Sequence, residues 1–545
     1  MIKSYIECLN EISKDELYEG LVGYGLFAER IPNFLSPEGF FNFAKNNASL
    51  RVRNAGYIKY EGMRDINVPR YFSIPNPFAY HTQCTTLRDA WDEIQKYFAE
   101  KTKGNKYKIS RIHIRKIVGQ KALQAKDSYD NNLNNEQNIE KHLFEMNHKP
   151  YKQDGSPEQS FCIGKRYKVK ADISNCFPSI YTHAIPWAIF GKNQAKEKKN
   201  TKNFANKLDE TTRQLNNNES IGILIGPHSS NLISEIILVA IDTELKKYNY
   251  VRNIDDYTCY TESREEAEQF ILNLSQCLKK FNLSLNHKKT QILELPLPFE
   301  EDWLRQLKTF RMDTYNRAIK YPSVVAFLDT AVKLMQENND KASILNYDIK
   351  ILHKKKMTNG AKIYFFNAIH HLTLLYPYLT PLLELLFDNK ENTIPLDKQI
   401  KISTDIYKLG INTKNFETCS YAIYFALKYK FELQTESKRK ILNHEEILES
   451  NDCIFMLLGY LYAKSHNEAT QSYINKASSF IIKLKSNTES ESNEIDEEYW
   501  LFAYEVLRQE KPDKLDRCGH WTALRDNNTS FIKDAFCTKI KTKKL

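Results

Sequence analysis

The segment Tyr-Val-Arg-Asn-Ile-Asp-Asp-Tyr-Thr-Cys-Tyr, residues 250–260, sets two adjacent carboxylates between short runs of strand-forming residues. Val251, Ile254, Tyr257, Cys259 and Tyr260 favour extended backbone, whereas Asn253, Asp255 and Asp256 favour a tight turn. The pattern predicts a β-hairpin with acid at its tip. Two aspartates at such a tip serve turn chemistry as readily as they hold a divalent cation, and other segments of the chain have to decide between these uses.

The first such segment is Lys-Val-Lys-Ala-Asp-Ile-Ser-Asn-Cys-Phe-Pro-Ser-Ile-Tyr, residues 168–181, where a strand-like run ends in Asp172 and is closed by Pro178. Two-metal nucleotidyl transfer needs carboxylates on two separate backbone segments: one cation activates the attacking hydroxyl while the other steadies the triphosphate and the leaving oxygen. Asp172 facing Asp255 and Asp256 is expected to supply that cage, with Ile173 as a further expected metal-site residue. Between the two segments lies Gly-Ile-Leu-Ile-Gly-Pro-His-Ser-Ser-Asn-Leu-Ile-Ser-Glu-Ile, residues 222–236. Gly226 and Pro227 form a turn into an amphipathic helix carrying Leu232, Ile236, Val239 and Ala240 at core spacing. Ser229, Ser230 and Asn231 at its start are expected to face a substrate, with the helix as a floor under a template base and a nucleotide.

Acid plus aromatic, then a Gly-Pro turn and helix, then Asp-Asp, in this order and spacing, resemble motifs A, B and C of a reverse transcriptase palm. The closer resemblance is to the bacterial abortive-infection and defence-associated reverse transcriptases of the abortive-infection K type. Their palm reads much like Asp-Ile-Ser-x-x-Phe-x-x-Ile-Tyr-x-His and Gly-Pro-x-x-Ser-x-x-Ile-Ser-Glu, which stand here at Asp172 to His183 and Gly226 to Glu235. Gly25-Leu26-Phe27-Ala28-Glu29-Arg30-Ile31-Pro32 and Ile74-Pro75-Asn76-Pro77 extend the likeness over about the first 300 residues. The resemblance implies an α+β fold, a right-hand polymerase fingers and palm followed by an all-α helical-repeat domain. The expected boundaries are 1–165 for N-terminal helices and fingers, 166–299 for the palm, and 300–545 for helices replacing or extending the thumb.

Further site residues follow from the same frame. Phe177, five residues after Asp172, either closes the palm core or lies beneath the incoming sugar, where it would clash with a 2′-hydroxyl and select deoxynucleotides. Leu285-Asn286-His287-Lys288-Lys289-Thr290 looks like motif D. Lys289, with Lys288 second, is the candidate to neutralise or protonate leaving pyrophosphate; the alternative is an exposed basic turn. In Ser110 to Lys116, Arg111, His113 and Arg115 alternate with Ile112 and Ile114, which puts three basic groups on one strand face. That face suits either an edge strand defended by charge or contact with triphosphate or template backbone. One departure concerns primer handling: Asn253 stands where many reverse transcriptases have Tyr before x-Asp-Asp.

The 545 residues are enough to bury a core without disulfides, and a net charge of +10 from 78 basic and 68 acidic residues is compatible with nucleic acid. Ten dispersed cysteines without a Cys-x-x-Cys pair point to a reducing cytoplasm and away from structural zinc. The longest apolar runs, Leu232 to Ile241 and Cys453 to Ala463, are interrupted or too short to span a bilayer, so no membrane is expected. Residues 127–160 read as a polar spacer with one short helix near Glu136 to Met146, and 191–218 as a second spacer with a helix up to Leu215. Beyond residue 300 helical patterns follow one another, among them Ser323 to Glu337, Thr418 to Phe431, Asp452 to Ser465 and Glu468 to Leu484, with a polar break at Ser486 to Asn493.

The resemblance implies Mg²⁺ or Mn²⁺ as cofactor, deoxynucleotide triphosphates as substrates, and a homo-oligomer acting in antiphage defence. It further implies synthesis without an external template, primed by a tyrosine hydroxyl so that the DNA product is covalently attached. Two alternatives stand beside it: RNA-templated reverse transcription on a noncoding RNA, and a nonenzymatic nucleic-acid-binding scaffold, against which the intact Asp172, Asp255 and Asp256 argue.

Overall fold

The computed structural model describes residues 5–28, 30–47, 50, 55–65, 68–103, 115–116, 144–145, 157–197, 202–485, 491–516 and 519–536. The chain divides into two compact units, one of residues 1–28, 36–57 and 73–297, the other of 29–35, 58–72 and 298–545.

At the centre of the first unit is a four-stranded antiparallel sheet in the order Asn249–Asn253, Asp256–Thr261, Tyr167–Asp172, Gln291–Glu294. Period-two alternation drives it: Val169 pairs with Cys259 and Ala171 with Tyr257, and all four side chains are buried. The helix Arg264–Lys280 packs on the two central strands. Ser263 caps that helix by accepting from the Glu266 amide at 3.2 Å, acids fill its first turn, and Lys279 and Lys280 its last, which suits its dipole. Phe161, on the short helix Pro157–Phe161, packs with Val251 and Tyr260.

Helix His228–Glu244 packs against Arg264–Lys280 and against Trp91–Thr102. Among the N-terminal helices, Tyr5–Asn10 packs on Trp91–Thr102, and Lys14–Tyr24 on Glu38–Lys45 and on Pro77–Asp89, which starts where the Asn76 side chain accepts from the amides of Phe78 and Ala79. Between Asp172 and Gly226 the chain forms, among other helices, Lys192–Glu197 and Phe204–Gln214, the latter ending one residue short of Leu215.

The helix expected near Glu136 to Met146 lies largely outside the described residues, and its end is corrected: Phe144 and Glu145 form a strand paired antiparallel with Arg115 and Lys116. Of the basic strand expected at 110–116, Arg111 and His113 lie outside the described residues, and Arg115 and Lys116 are extended.

The second unit is mostly helical. Tyr321–Glu337 packs on Ala342–Leu352 and on Asn359–Leu375; Leu396–Thr413 packs on Phe416–Tyr429, that on Cys453–Ser465, and that in turn on Trp500–Glu510. The apolar run of Cys453–Ser465 is a core helix, buried on nearly every side. No helix among the described residues is long and apolar enough to cross a membrane.

The expected helix Glu468 to Leu484 stops early. The helix is Gln471–Ser479, and Ile481–Lys485 pairs as a strand with Glu491–Ile495, which begins inside the expected polar break. From Ile481 the residues run Ile-Ile-Lys-Leu-Lys, and the alternation of Ile482 and Leu484 with Lys483 and Lys485 has the period of a strand, not of a helix. The short hairpin of Thr314–Tyr315 and Ala318–Ile319 also breaks the helical series.

Asp348, fully buried on helix Ala342–Leu352, has no hydrogen-bond partner for either carboxylate oxygen among the described residues, and burial pushes its carboxyl well above the usual carboxylate range. A raised folded-state value means that stability is greatest below the ordinary Asp range and is lost as pH rises toward the folded value. Asp348→Asn is therefore expected to raise the thermal midpoint at neutral pH, by the equivalent of about 1–3 kcal/mol, and to change nothing in acid. An equal midpoint for both proteins at neutral pH would refute this.

Candidate active site

The sheet register brings the acids together. Asp172, the last residue of Tyr167–Asp172, stands directly opposite Asp256, the first residue of Asp256–Thr261. The hairpin expected at 250–260 is present with a tighter tip than expected: Asn253 pairs with Asp256, so only Ile254 and Asp255 occupy the turn. Beyond Asp172 the chain runs between the turn and motif D. The Ile173 amide donates to the Asp255 carbonyl at 3.1 Å, the Ser174 amide to Ser284 at 2.8 Å, and the Asn286 amide to the Asp172 carbonyl at 2.8 Å. Ile173 also bridges Leu285. Three segments far apart in sequence are thereby held at one end of the sheet.

Lys289 completes the group. Its Nζ lies 2.6 Å from Asp172 Oδ2, with the Lys289 side chain more than half exposed and that of Asp172 nearly buried. Asp256 is accessible from solvent, yet the protein crowds it on its inner side. Partial burial, then the charges of Asp255 and Asp172, push its carboxyl up to about 6, and Lys289 pulls in the opposite direction. A mutually repelling carboxylate pair already holding one mobile ammonium suits a divalent cation. Among the described residues no three acidic, His or Cys side chains are arranged as a ready-made metal cage. Asp172 and Asp256 are the convergent pair, and Asp255 is tied to them through its backbone.

The turn stores strain. Ile254 has φ 51°, a left-handed conformation that a β-branched residue adopts at a cost of about 1–2 kcal/mol. Its carbonyl accepts from Arg252 at 2.9 Å. Arg252 is itself fully buried, 2.7 Å from Asp242 and 3.0 Å from Glu235, both on the helix His228–Glu244. Tyr250 donates to Asp242 at 2.9 Å, and Tyr5 to Glu235 at 3.2 Å. Sequence reasoning missed this network, although Glu235 and Asp242 are seven residues apart on one helix face and Arg252 alternates out of phase with Val251. Ile254→Asn, which accepts left-handed backbone, is expected to gain about 1 kcal/mol, read as a rise in the denaturant midpoint at unchanged slope. A fall in the midpoint would show that Ile254 packing outweighs its strain.

Gly226 and Pro227 form the expected turn. Gly226 has φ 128°, and a Cβ there would lie 3.1 Å from Ala28 Cβ and 3.2 Å from the Ser73 carbonyl, so only glycine fits. Pro227 is extended and precedes the helix. Ser229 and Ser230, expected to face a substrate, are buried instead. The backbone near Gly25 closes over the helix start: the His228 amide donates to the Gly25 carbonyl at 2.9 Å, and Gly25 leaves no room for a Cβ beside His228. Phe177 lies one short turn after Asp172, half-exposed, its carbonyl accepting from the Ile223 amide at 3.0 Å. That bond ties motif A to the segment leading into Gly226.

Residues 132–326 match the family model described as reverse transcriptase (RNA-dependent DNA polymerase). No curated protein matches the chain. Among solved structures, an apo telomerase of Candida tropicalis truncated from its C-terminal domain matches at 12% identity over 48% of this chain and 55% of its own, with a TM-score of 0.26. Telomerase of Candida albicans in complex with a fragment of telomeric RNA matches at 10% identity over 68% and 65%, TM-score 0.26. Apo telomerase of Candida tropicalis matches at 10% identity over 79% and 74%, TM-score 0.30. The chain thus spans a little over half the length of the first of these structures and just under two thirds of the second. The matching segment holds the paired acids, the Gly-Pro turn and the Lys289 segment, so residues 132–326 of this chain are similar to a reverse transcriptase domain.

Proposed function

We propose that the chain joins deoxynucleotides into DNA at the end of the palm sheet, with Asp172, Asp255, Asp256 and the backbone at Ile173 holding Mg²⁺ or Mn²⁺. The observation that carries this reading is the register pairing of Asp172 with Asp256 beneath the Lys289 ammonium. A bound divalent cation there supplies Lewis-acid charge stabilisation and lowers the pKa of the attacking hydroxyl. Lys289, released from Asp172 as that charge is taken up, is free to meet the leaving pyrophosphate. Phe177 lies under the sugar and disfavours a 2′-hydroxyl, while Gly226 and Pro227 let the chain approach the nucleotide closely. Arg111 and Arg115 are assigned to the triphosphate or the template backbone.

In this reading residues 1–165 serve as fingers, 166–299 as palm, and 300–545 as a helical-repeat domain in the place of a thumb. The resemblance to the abortive-infection group adds a cytoplasmic homo-oligomer in antiphage defence that builds DNA without an external template from a tyrosine hydroxyl. Asn253 in the usual Tyr position is the feature of this chain that sets primer handling apart.

The test is incorporation of each labelled deoxynucleotide by purified protein with Mg²⁺ or Mn²⁺ and no added nucleic acid, with products run before and after protease. DNA whose mobility changes on proteolysis supports attachment to the protein. Product only when RNA and a primer are supplied replaces this priming scheme with templated reverse transcription. No product under either condition removes the polymerase reading.

A further inference from the structure

The second unit carries a charge asymmetry of its own. From Ile349 to Leu383 the chain contains no Asp or Glu, yet carries Lys350, Lys354, Lys355, Lys356 and Lys362. The structure joins part of this stretch to a second basic segment. The Ile319 amide donates to the Lys356 carbonyl at 2.8 Å, the Thr358 amide donates to the Ile319 carbonyl at 3.0 Å, and Ile319 bridges Met357. Ile319 ends the small hairpin whose tip, Asn316 and Arg317, is in left-handed conformation. Arg317 and Lys320 are thus neighbours in the fold of Lys355 and Lys356, and all four side chains are exposed.

Aromatic rings stand among these cations. Tyr315 is 65% exposed and Tyr321 49% exposed, and Tyr321 meets Tyr364 edge to face at 5.3 Å. These rings are open to a planar partner, and they stand on the same segments as the exposed cations. Beside them the Lys354 ammonium is shielded from solvent and finds no hydrogen-bond partner among the described residues, and burial, then Lys350, lowers its pKa. The acids nearest are Asp313 and Asp329 in these segments and the exposed Glu391, whose carbonyl accepts from Lys362 at 3.2 Å and whose neighbour Asn392 holds the Lys355 carbonyl. Asp329 acts on Tyr364, so the face is predominantly, not wholly, positive.

We infer that the face formed by the 314–319 hairpin, the start of helix Tyr321–Glu337 and the 354–364 segment binds single-stranded nucleic acid, with bases stacking on Tyr315 and Tyr321 and phosphates meeting Arg317, Lys320, Lys355 and Lys356. Rings that accept any base face, interleaved with cations, are how strands are held without sequence preference. An acidic peptide would use the cations and leave the rings idle. The inference rests on the polymerase reading only for the presence of a strand as partner, and the assignment of the face stands on its own residues.

Binding of labelled single-stranded DNA and RNA, followed by fluorescence anisotropy without nucleotides or metal, tests it with the full chain carrying Asp256→Ala so that no synthesis intervenes. Tyr315→Ala together with Tyr321→Ala is expected to weaken binding at least about tenfold, and the corresponding Phe pair to restore it. Lys355→Ala with Lys356→Ala is expected to flatten the dependence of log affinity on log salt by about 0.7 for each phosphate left without its cation. Because all these side chains are exposed, unchanged circular dichroism serves as the folding control. Wild-type-like affinity in the tyrosine pair, or an unchanged salt slope in the lysine pair, overturns the inference. Binding that responds as expected in a protein that never incorporates nucleotides leaves it standing and removes the polymerase reading alone.

Discussion

Asp256→Ala is expected to reduce deoxynucleotide incorporation by at least about a thousandfold, because a carboxylate that holds a catalytic cation contributes several kcal/mol of transition-state charge stabilisation. The fold is expected to lose nothing. Asp256 begins its strand, is accessible from solvent, and repels Asp172 opposite it and Asp255 beside it. Its carboxyl is pushed up to about 6, and an acid whose folded-state value is raised contributes stability only in acid, stability that is lost as pH rises from the ordinary Asp range toward 6. At neutral pH the native enzyme therefore carries an electrostatic burden that the variant lacks, and the variant's thermal midpoint should equal or exceed that of the parent. The same titration sets a pH dependence. In the proposed reading protons and a divalent cation would compete for Asp256, so the metal concentration giving half-maximal rate should fall as pH rises from about 5 to about 7. A variant that keeps a tenth or more of parental activity would remove Asp256 from the reaction, and a sharply lower midpoint would make its role structural.

The hairpin at 250–260 and its antiparallel partner were legible because their chemistry is local: β-branched and aromatic residues in alternation, and turn residues at the tip. Register was legible only in outline. The sequence placed both Asp255 and Asp256 at the tip, whereas pairing of Asn253 with Asp256 draws Asp256 into the strand opposite Asp172. A single-residue choice of this kind depends on Arg252 donating to the Ile254 carbonyl, which stabilises a left-handed Ile that no local preference would select. The burial of Ser229 was likewise hidden, because the ring that meets it, Tyr80, comes from a helix far upstream in sequence. In the second unit the helices announced themselves by period, and the Ile481–Lys485 strand was lost because a short alternating run after a helix still fits one more helical turn.

Arg252→Met is expected to destabilise the first unit by about 3–5 kcal/mol, a large share of the about 5–15 kcal/mol that holds a typical domain. The attraction between Arg252 and its partners is not the reason, since much of it is offset by desolvation. The cost lies in what the substitution leaves behind. Asp242 and Arg252 are completely shielded from water and Glu235 nearly so. Even with Arg252 in place, burial raises the Asp242 carboxyl to about 6 against the pull of the guanidinium. Without that cation two carboxylates remain inside the protein, and one must take up a proton. The variant should therefore be least stable at neutral pH and regain stability as pH falls through the raised value, a slope the parent shows more weakly. Replacing the whole group, Arg252→Met with Asp242→Asn and Glu235→Gln, removes the stranded charges and is expected to recover most of the lost midpoint. Activity should stay low, because the Ile254 carbonyl has still lost the donor that fixes the turn beside Asp255. Equal midpoints for parent and Arg252→Met across this pH range would show the buried network to be dispensable, and full activity in the triple variant would show that the turn holds its shape without it.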